Sequence, residues 1–595
     1  MIRKAIFSIL LIVLGFILYF NPNFQTVAAG ISILLVGMVM LEEGFKVFTK
    51  GPLQRILKNA TNKLYKSITA GAIVTALIQS SSLVSVITIS FISAGLISLS
   101  GGLGLVFGAN IGTTATAWLV AAFGLKIKIS VLAMPMLIFG VVFSFQKKAT
   151  LKGVGNVLAG LGFFFLGIHY MKEGFDVFKD YIDLSQYAIS GFLGVIIYTG
   201  LGIILTTILQ SSSATLALIL TALAAGQIEY ENALALAIGA NVGTTITAGL
   251  GALGSNSAGK RLALAHFIFN ITTGLVTMAL IFPLARLVSI LSDSFNISST
   301  NYTLKLAIFH TIFNVLGVLL MLPFIKVLER FLMRFFTEDH NKKDISEPKY
   351  LNPAVLKFPG SVITALINES KYLFKKSVFE IVAHALNIHR SDITSSDKVK
   401  TIVKNSTEDL ETNVEDLYYS KVKTIYGEII KYASNAQSTL SLNRSQIDAI
   451  SDVKVANRMM VEIIKDAREL NKNITLVRDI NNKALQREYD SYRKKIIKVL
   501  RVVYLFRTED DSEKYALKLK ALKAEAKANI RQSNKSIDKL IRKDLITAEM
   551  ASSLFNDYSN VNNMIKKLII VAELLYGKLD SLLEENGINK KTPKS

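Results

Sequence analysis

The first 337 residues are dominated by long apolar runs, whereas the rest of the chain places apolar residues every three to four positions. A helix needs about 20 apolar residues to cross a hydrocarbon core of about 30 Å, and several runs in the first part are long enough. Segments of the second part, such as 457–471, have the spacing of amphipathic helices. The pattern predicts an all-α protein: a polytopic membrane domain at 1–336, followed by a soluble helical bundle.

The boundary between the two parts is polar and rich in proline. Residues 337–344 are polar, and Pro348, Pro353 and Pro359 follow them. We therefore predict a linker at 337–359 and a bundle of about six helices at 360–588. The last residues, 589–595, are of low complexity and are predicted to be disordered.

The membrane part contains an internal repeat. Residues 75–82 match 206–213, and residues 108–114 match 239–245, both at an offset of 131 residues. A third pair, 43–48 and 173–178, is offset by 130 residues. Three matching blocks in one register predict a duplicated unit, with one copy at about 24–146 and the other at about 154–284.

The orientation of the two copies depends on how each Gln-Ser-Ser-Ser segment is folded. Residues 67–95 form either one over-long span or a hairpin of two short helices. With hairpins, Lys147, Lys148 and Lys152 stay on the cytoplasmic side, as the positive-inside rule favours, whereas the single-span alternative expels them. Hairpins give two inverted repeats with two re-entrant hairpins, an arrangement known in secondary transporters. The predicted spans are eight in number: 5–20, 24–45, 102–122, 129–146, 154–176, 232–250, 262–284 and 303–325.

Orientation and compartment follow from the same loop charges. Ala5–Phe20 follows two cations and is interpreted as a retained signal anchor, because a second apolar run comes directly after it. Both termini are then cytoplasmic, and the protein is expected in the cell membrane. The net charge of +22 lies, in the membrane part, in short loops, so it does not indicate nucleic acid. The chain has no cysteine, which excludes disulfides and thiolate sites.

Polar residues inside the apolar repeats are the candidate binding residues. One buried serine commonly bonds the preceding helical turn, but three consecutive serines point about 100° apart and cannot share that role. At a hairpin tip, their hydroxyls and the adjacent carbonyls suit a small cation, while free N–H groups at a helix start suit an anion. The predicted substrate and ion ligands are Gln79, Ser80, Ser81, Ser82, Asn110, Thr113, Thr114, Gln210, Ser211, Ser212, Ser213, Asn241, Thr244 and Thr245.

The Gly-Ala-Asn-x-Gly-Thr-Thr blocks admit two interpretations. Their glycines form a small-xxx-small pattern that permits close helix packing. The asparagine and threonines exceed that need, so we expect a broken helix in each repeat, with the breaks and hairpin tips meeting near the midplane. Two His-x-x-x-Asn pairs lie on single helix faces and either line the core or join helices. The predicted lining residues are Thr75, Thr206, His266, Asn270, His310 and Asn314.

No Lys, Arg, Asp or Glu lies between Ser67 and Trp118 or between Gly191 and Gly226. A site built there must use neutral dipoles, which suits a monovalent cation bound by oxygens beside an anion bound by N–H and O–H donors. It provides no proton relay and no nucleophile–base pair, and no nucleotide motif occurs. We therefore expect a transporter and not an enzyme, with no cofactor besides a coupling ion.

The duplicated Gln-Ser-Ser-Ser, Gly-Ala-Asn-x-Gly-Thr-Thr and His-x-x-Phe-Asn motifs resemble those of the type II sodium/phosphate cotransporter family, over most of 24–325. Leu351-Asn-Pro, Pro359 and Glu369, followed by the helical tail, are similar to the bacterial branch that carries a PhoU-like domain. The resemblance implies sodium-driven import of inorganic phosphate by alternating access, with sodium at the same site. PhoU-like domains hold metals on acidic clusters. The nearest candidates, Glu411 with Glu415 and Asp557 with Asn560, are interpreted as solvated acids instead.

Two rival functions stay open at this point. One is a carrier of another small anion, and the other is a membrane sensor of phosphate supply that acts through the bundle. The lipid bilayer, phosphate and sodium are the expected partners, and nucleic acid is not. A homo-oligomer and phosphate-signalling partners of the bundle are neither indicated nor excluded. The bundle is expected to regulate transport, because every candidate ligand lies before residue 315.

Overall fold

A computed structural model describes residues 15–16, 18–48, 57, 60–125, 129–179, 184–336, 347–353, 356, 358–406, 410, 413–509, 511–528 and 530–585. Most of the predicted first span and the predicted disordered tail lie outside these residues. The chain divides into two compact units. The first comprises Met1–Ser93 and Ile97–Glu338, and the second comprises Ala94–Leu96 and Asp339–Ser595.

The described part of the first unit is built from helices. A π-helical turn, Leu119–Gly124, follows the fifth of them. In chain order the helices are α1 (Pro22–Phe48), α2 (Leu64–Ile78), α3 (Ser81–Ser93), α4 (Leu99–Gly112), α5 (Thr114–Trp118), α6 (Ile129–Ser144), α7 (Ala149–Lys179), α8 (Gly191–Leu209), α9 (Ser212–Ala224), α10 (Tyr230–Ala252), α11 (Ser257–Ala279), α12 (Ile281–Ser294), α13 (Tyr302–Met321) and α14 (Ile325–Arg334).

Seven stretches of the described residues are long and apolar enough to cross a membrane. They are Phe24–Phe45, Leu99–Gly124, Ala149–Val177, Gly191–Leu209, Tyr230–Ala252, Ser257–Ala279 and Tyr302–Arg334. The predicted all-α polytopic membrane fold is confirmed. Two details differ from the predicted eight spans. The span expected at 129–146 is the shorter helix α6, of 16 residues. Helix α8, expected as a short hairpin arm, has 19 residues because no polar residue interrupts it before Thr206.

Both Gln-Ser-Ser-Ser segments form the tips of helical hairpins. Helices α2 and α4 run parallel, because Gly104 lies against Ser67 and Gly112 lies against Thr75. Helix α3 connects the two and must therefore run in the opposite direction. The second repeat has the same arrangement in α8, α9 and α10, where Gly243 lies against Thr206. The predicted hairpins are present, and the faces from which they enter the membrane stay a prediction.

The equivalent long helices of the two repeats, α1 and α7, are antiparallel. A Cβ built on Gly37 would lie 2.7 Å from the carbonyl oxygen of Gly160, and one on Gly30 would lie 2.9 Å from that of Gly167. Contacts along α1 thus move backwards along α7. Since the sequence blocks at 43–48 and 173–178 place these helices at equivalent positions, their opposite direction agrees with inverted repeats.

Backbone contact at glycine joins each hairpin to its motif helix. A Cβ on Gly108 would collide with the carbonyl oxygen of Ile68, and a Cβ on Gly239 would collide with that of Thr199. These two contacts are equivalent, because both residues of each pair are 131 apart from those of the other. Without side chains the helices approach closely enough for extensive dispersion contacts, which drive helix association in lipid.

The second unit is also helical in its described part. Three π-helical turns, Phe374–Val378, Tyr419–Lys423 and Leu574–Lys578, continue three of its helices without interruption. The helices are α15 (Pro359–Leu373), α16 (Phe379–Ala385), α17 (Arg390–Thr394), α18 (Val399–Asn405), α19 (Val414–Tyr418), α20 (Thr424–Thr439), α21 (Arg444–Asp479), α22 (Lys483–Thr508), α23 (Ser512–Ala528), α24 (Ile530–Arg542), α25 (Ala548–Glu573) and α26 (Leu579–Glu585). They make seven long rods and two short helices, where about six helices were expected.

Buried polar residues fix the packing of this unit. Asp557, which was interpreted as a solvated acid, is 2% exposed and accepts hydrogen bonds from Tyr489 (2.7 Å) and Asn473 (2.8 Å). Burial raises the pKa of its carboxyl group. Glu415 pairs with Arg468 at 3.4 Å, and Glu411 lies outside the described residues. Among the residues that the structure describes, no three His, Asp or Glu gather as a metal site.

We predict that Gly239→Ala destabilises the membrane unit. The added methyl group meets the Thr199 carbonyl, so α8 and α10 must separate, and overpacking of this kind costs about 1–3 kcal/mol. The apparent unfolding temperature of the full-length protein in detergent should fall by several degrees. Gly200→Ala on α8 is the matched control, since a Cβ there meets nothing within 4 Å. Equal melting of both variants would show that the close contact is not required.

Candidate functional site

Each hairpin turns at its glutamine. Gln79 (φ 58°, ψ 27°) and Gln210 (φ 53°, ψ 22°) adopt the left-handed conformation, which is unfavourable for a residue with a side chain. The first serine of each triplet then caps the second arm. Ser80 Oγ accepts from the Leu83 N–H (3.2 Å), and Ser211 Oγ accepts from the Ala214 N–H (3.1 Å). One serine of each triplet therefore has a structural role, which left-handed turning and capping supply together.

The two hairpin tips meet at Thr116. Its Oγ1 lies 2.7 Å from Gln79 Oε1 and 3.2 Å from Ser213 Oγ. A hydroxyl carries one proton, so we assign it as donating to Gln79 Oε1 and accepting from Ser213. Thr116 is 1% exposed. A predicted residue of the first tip and one of the second are thus joined through a residue of α5.

Other tip side chains lack a protein partner. The side chains of Ser81, Ser82, Gln210 and Ser212 make no hydrogen bond to any described residue. Ser81 and Ser212 are buried, Ser82 is half-buried and Gln210 is exposed. Buried hydroxyls are normally paired. These groups are therefore available to a ligand between the tips, beside the N-terminal ends of α3 and α9.

The expected helix breaks are absent or slight. Helix α10 runs without interruption through Asn241, Thr244 and Thr245. In the first repeat the helix is interrupted only at Thr113, whose backbone keeps right-handed values (φ −62°, ψ −21°). The prediction of broken helices was wrong, because the glycines serve close packing, the interpretation that was given less weight.

The motif threonines mainly satisfy their own helices. Thr113 donates to the Asn110 carbonyl (2.6 Å) and Thr114 to that of Ile111 (2.7 Å). Thr244 and Thr245 do the same one repeat later, at 3.1 and 2.7 Å. Their side chains are buried. The structure therefore places them near the tips but gives each an internal partner.

The asparagines and histidines are arranged unequally. Asn241 donates to Asn314 Oδ1 (2.8 Å) and lies 3.4 Å from His310 Nε2, which ties α10 to α13. In the first repeat, Asn110 and Asn270 bond only to carbonyls of their own helices. Asn270 Oδ1 and His266 Nδ1 have no partner among the described residues. The second copy of the network is thus closed within the protein, and the first is not.

The lining threonines differ in the same way. Thr206 donates to Thr215 at 3.0 Å within the second hairpin. The position equivalent to Thr215 in the first repeat is Val84, so the buried hydroxyl of Thr75 has no partner. The duplicated backbone therefore carries two different sets of polar contacts.

Thr116 was missed by sequence reasoning. A signal for it exists, since Gly112-Thr-Thr-Ala-Thr116 is repeated as Gly243-Thr-Thr-Ile-Thr247. The motif was read as ending at the second threonine, one residue before an alanine or isoleucine. The third threonine in each copy lies two positions further on.

Inverted long helices, two helical hairpins and neutral polar tips define an all-α polytopic membrane protein of the transporter class. A family model described as Na+/Pi-cotransporter matches residues 33–173 and 189–322. The membrane part of the chain belongs to this family. No solved structure matches the chain.

Named relatives include both bacterial and mammalian proteins. The chain is 29% identical to "Putative inorganic phosphate export protein YjbB" of Salmonella typhimurium, over 56% of this chain and 59% of the relative. It is 29% identical to "Uncharacterized protein YqeW" of Bacillus subtilis, over 49% of this chain and 92% of the relative. It is 36% identical to "Sodium-dependent phosphate transport protein 2C" of Mus musculus, over 19% of each. The match thus spans about three fifths of the first relative.

We predict that Thr116→Val slows phosphate transport roughly tenfold or more while the protein stays folded. Valine keeps the shape but removes two hydrogen bonds, each worth about 0.5–1.5 kcal/mol. Transport by reconstituted protein should be compared with that of Thr116→Ser, which keeps the hydroxyl and should retain most activity. Thr69→Val is the control, because Thr69 bonds only the Tyr65 carbonyl of its own helix. Normal transport by Thr116→Val would exclude the bridging role.

Proposed function

We propose that the protein is a secondary carrier that moves inorganic phosphate together with sodium across the cell membrane. The observation that carries this proposal is the contact of Thr116 with Gln79 and Ser213. It joins the tips of two inverted hairpins, so that both repeats border one polar region. Membership of the membrane part in the Na+/Pi-cotransporter family supports the choice of phosphate.

Sodium coupling follows from the charge of the cargo. Phosphate carries one to two negative charges near neutral pH, and the hairpin and motif-helix segments contain no Lys or Arg. Removing such an anion from water without a compensating cation is costly. A co-bound sodium ion supplies the missing charge and is held by neutral oxygens, which a hard monovalent cation accepts. Phosphate binding should therefore require sodium.

The two ions need different groups at the tips. Gln79 Oε1 and the hydroxyls of Thr116 and Ser213 present oxygens for a cation. The N–H groups that begin α3 and α9, with the free hydroxyls of Ser81 and Ser212, present donors for phosphate oxygens. Asn110, Thr113, Thr114, Asn241, Thr244 and Thr245 then support the tips from the motif helices.

Transport would alternate access by moving one hairpin pair against the rest. The two tips have unequal contacts, because Gln79 is bonded to Thr116 whereas Gln210 is exposed. We propose that exchange of these contacts between the repeats opens the site to one side and then the other.

Import is the proposed direction, because a sodium gradient directed inward drives a coupled anion inward. Export is the second candidate, since the relatives YjbB are named as putative export proteins. A carrier is reversible, so the gradients decide between the two directions. We further propose cytoplasmic termini and a regulatory PhoU-like bundle, with the sensor alternative tested by the same measurements.

We predict sodium-dependent phosphate uptake into proteoliposomes and its loss, by at least roughly tenfold, in Gln210→Ala. The amide is exposed at a tip and supports no other residue, so its removal takes away a ligand without opening a core cavity. Labelled phosphate uptake should be measured with a sodium or a choline gradient. Gln146→Ala, on an exposed side chain after α6, is the control.

The outcomes separate the candidates. Equal uptake in sodium and choline would contradict coupling, and efflux from loaded vesicles that ignores sodium would favour export. Wild-type uptake by Gln210→Ala would remove this glutamine from the site. Absence of any phosphate flux, with folded protein in the membrane, would favour the sensor.

A further inference from the structure

Five basic residues of the second unit gather around the π-helical turn Phe374–Val378. We call them the cationic cluster: Lys349, Lys375, Lys376, Arg390 and Arg507. They come from the segment before α15, the π-helical turn, α17 and α22. None of them belongs to the membrane unit, so their grouping is separate from the proposed transport site.

Aromatic rings hold the two ends of the cluster. Tyr372, Lys375 or Lys376, and Phe379 are spaced at i, i+3 or i+4, and i+7 and so share one helix face. Lys349 Nζ lies 5.6 Å from the ring centre of Tyr372, and Arg390 Cζ lies 5.5 Å from that of Phe379. Both distances are within the range of cation–π attraction. A cation is thereby placed at each end of the face that carries the two lysines.

A buried carboxylate positions the first of these cations. Glu369 is 0% exposed and accepts from the N–H groups of Tyr350 (2.6 Å) and Leu351 (3.3 Å). The backbone beside Lys349 is thus fixed against α15. On the other side, the Arg507 guanidinium lies 5.4 Å from the ring of Tyr504 on α22.

The five charges act on one another. Burial lowers the pKa of Lys375, and the positive charges of Arg507, Lys376, Arg390 and Lys349 lower it further. The acids nearby have other partners, since Glu380 pairs with Lys421 (3.7 Å) and Asp580 with Lys371. Lys375, Lys376 and Arg390 make no ion pair within the described part of the chain. Their repulsion is unfavourable unless an anion binds between them.

We propose that the cationic cluster binds a soluble phosphate-bearing anion and is a ligand site of the bundle. Arg390 supplies a planar fork of N–H donors that matches two phosphate oxygens, and the two lysines supply point charges. Lys375 and Lys376 are exposed, so the ligand has access. π-helical turns often occur at functional sites, and this one places both lysines beside Arg390. The proposal does not rest on the transport mechanism.

The test uses the full-length protein in detergent, with potassium in place of sodium to keep the transport site empty. Pyrophosphate and inorganic phosphate are titrated at constant ionic strength, and amide hydrogen exchange is followed by mass spectrometry. We expect protection at 349–351 and 372–379. The triple variant Lys375→Gln, Lys376→Gln and Arg390→Gln should bind pyrophosphate at least roughly tenfold more weakly. The control Lys539→Gln, Arg542→Gln and Lys543→Gln removes the same charge from exposed positions and should bind normally.

Two further measurements make the result decisive. Lys375→Arg with Lys376→Arg keeps the charge and should restore binding, which a merely misfolded variant could not do. Nanodiscs with and without phosphatidylglycerol test the other source of the same chemistry. Protection that needs the anionic lipid, and is absent with both soluble anions, would overturn the proposal of a soluble ligand. Equal affinity of the triple variant and its control, or no protection by either soluble anion, would do the same.

Discussion

The membrane unit depends on the close approach of helix backbones where side chains are absent. Gly108 against the Ile68 carbonyl, and Gly239 against that of Thr199, set the distance between the first arm of each hairpin and its motif helix. That distance decides where each tip ends, because the arm has a fixed length from the contact to its glutamine. The meeting of Gln79, Thr116 and Ser213 is a result of this packing, since hydrogen bonds tolerate only a few tenths of an ångström.

Much of this arrangement could be predicted from the sequence. The repeats, the hairpins and the polytopic fold follow from apolar length and from blocks that match in register. The motif helices could not be predicted correctly, because Asn241, Thr244 and Thr245 look equally suited to a helix break and to a packed helix. The difference lies in whether a neighbouring backbone fills the space at Gly239, and a single segment does not contain that information. Thr116 was missed for the same reason, since its partners lie 37 and 97 residues away. Asp557 was misjudged because Tyr489 and Asn473 reach it from two other helices.

The two repeats share a backbone plan but not an energy. Thr206 has a hydroxyl partner in Thr215, whereas Thr75 faces a position occupied by Val84. Asn241 is bonded to Asn314, whereas Asn270 Oδ1 has no described partner. An unpaired buried polar atom costs about 1–3 kcal/mol, unless water or a ligand pairs with it. The first repeat therefore gains more from hydration or occupancy than the second, so the two hairpins are not interchangeable.

The packing of α1 against α7 is symmetric in a way that concerns the origin of the chain. Gly30 meets Gly167 and Gly37 meets Gly160, and with the offset of 130 residues these are the same contact seen from either helix. Such self-complementarity characterises the isologous interface of a two-fold homodimer. A single repeat unit would present this glycine face to a second copy of itself. The centre of the present monomer thus has the form of a subunit interface enclosed within one polypeptide.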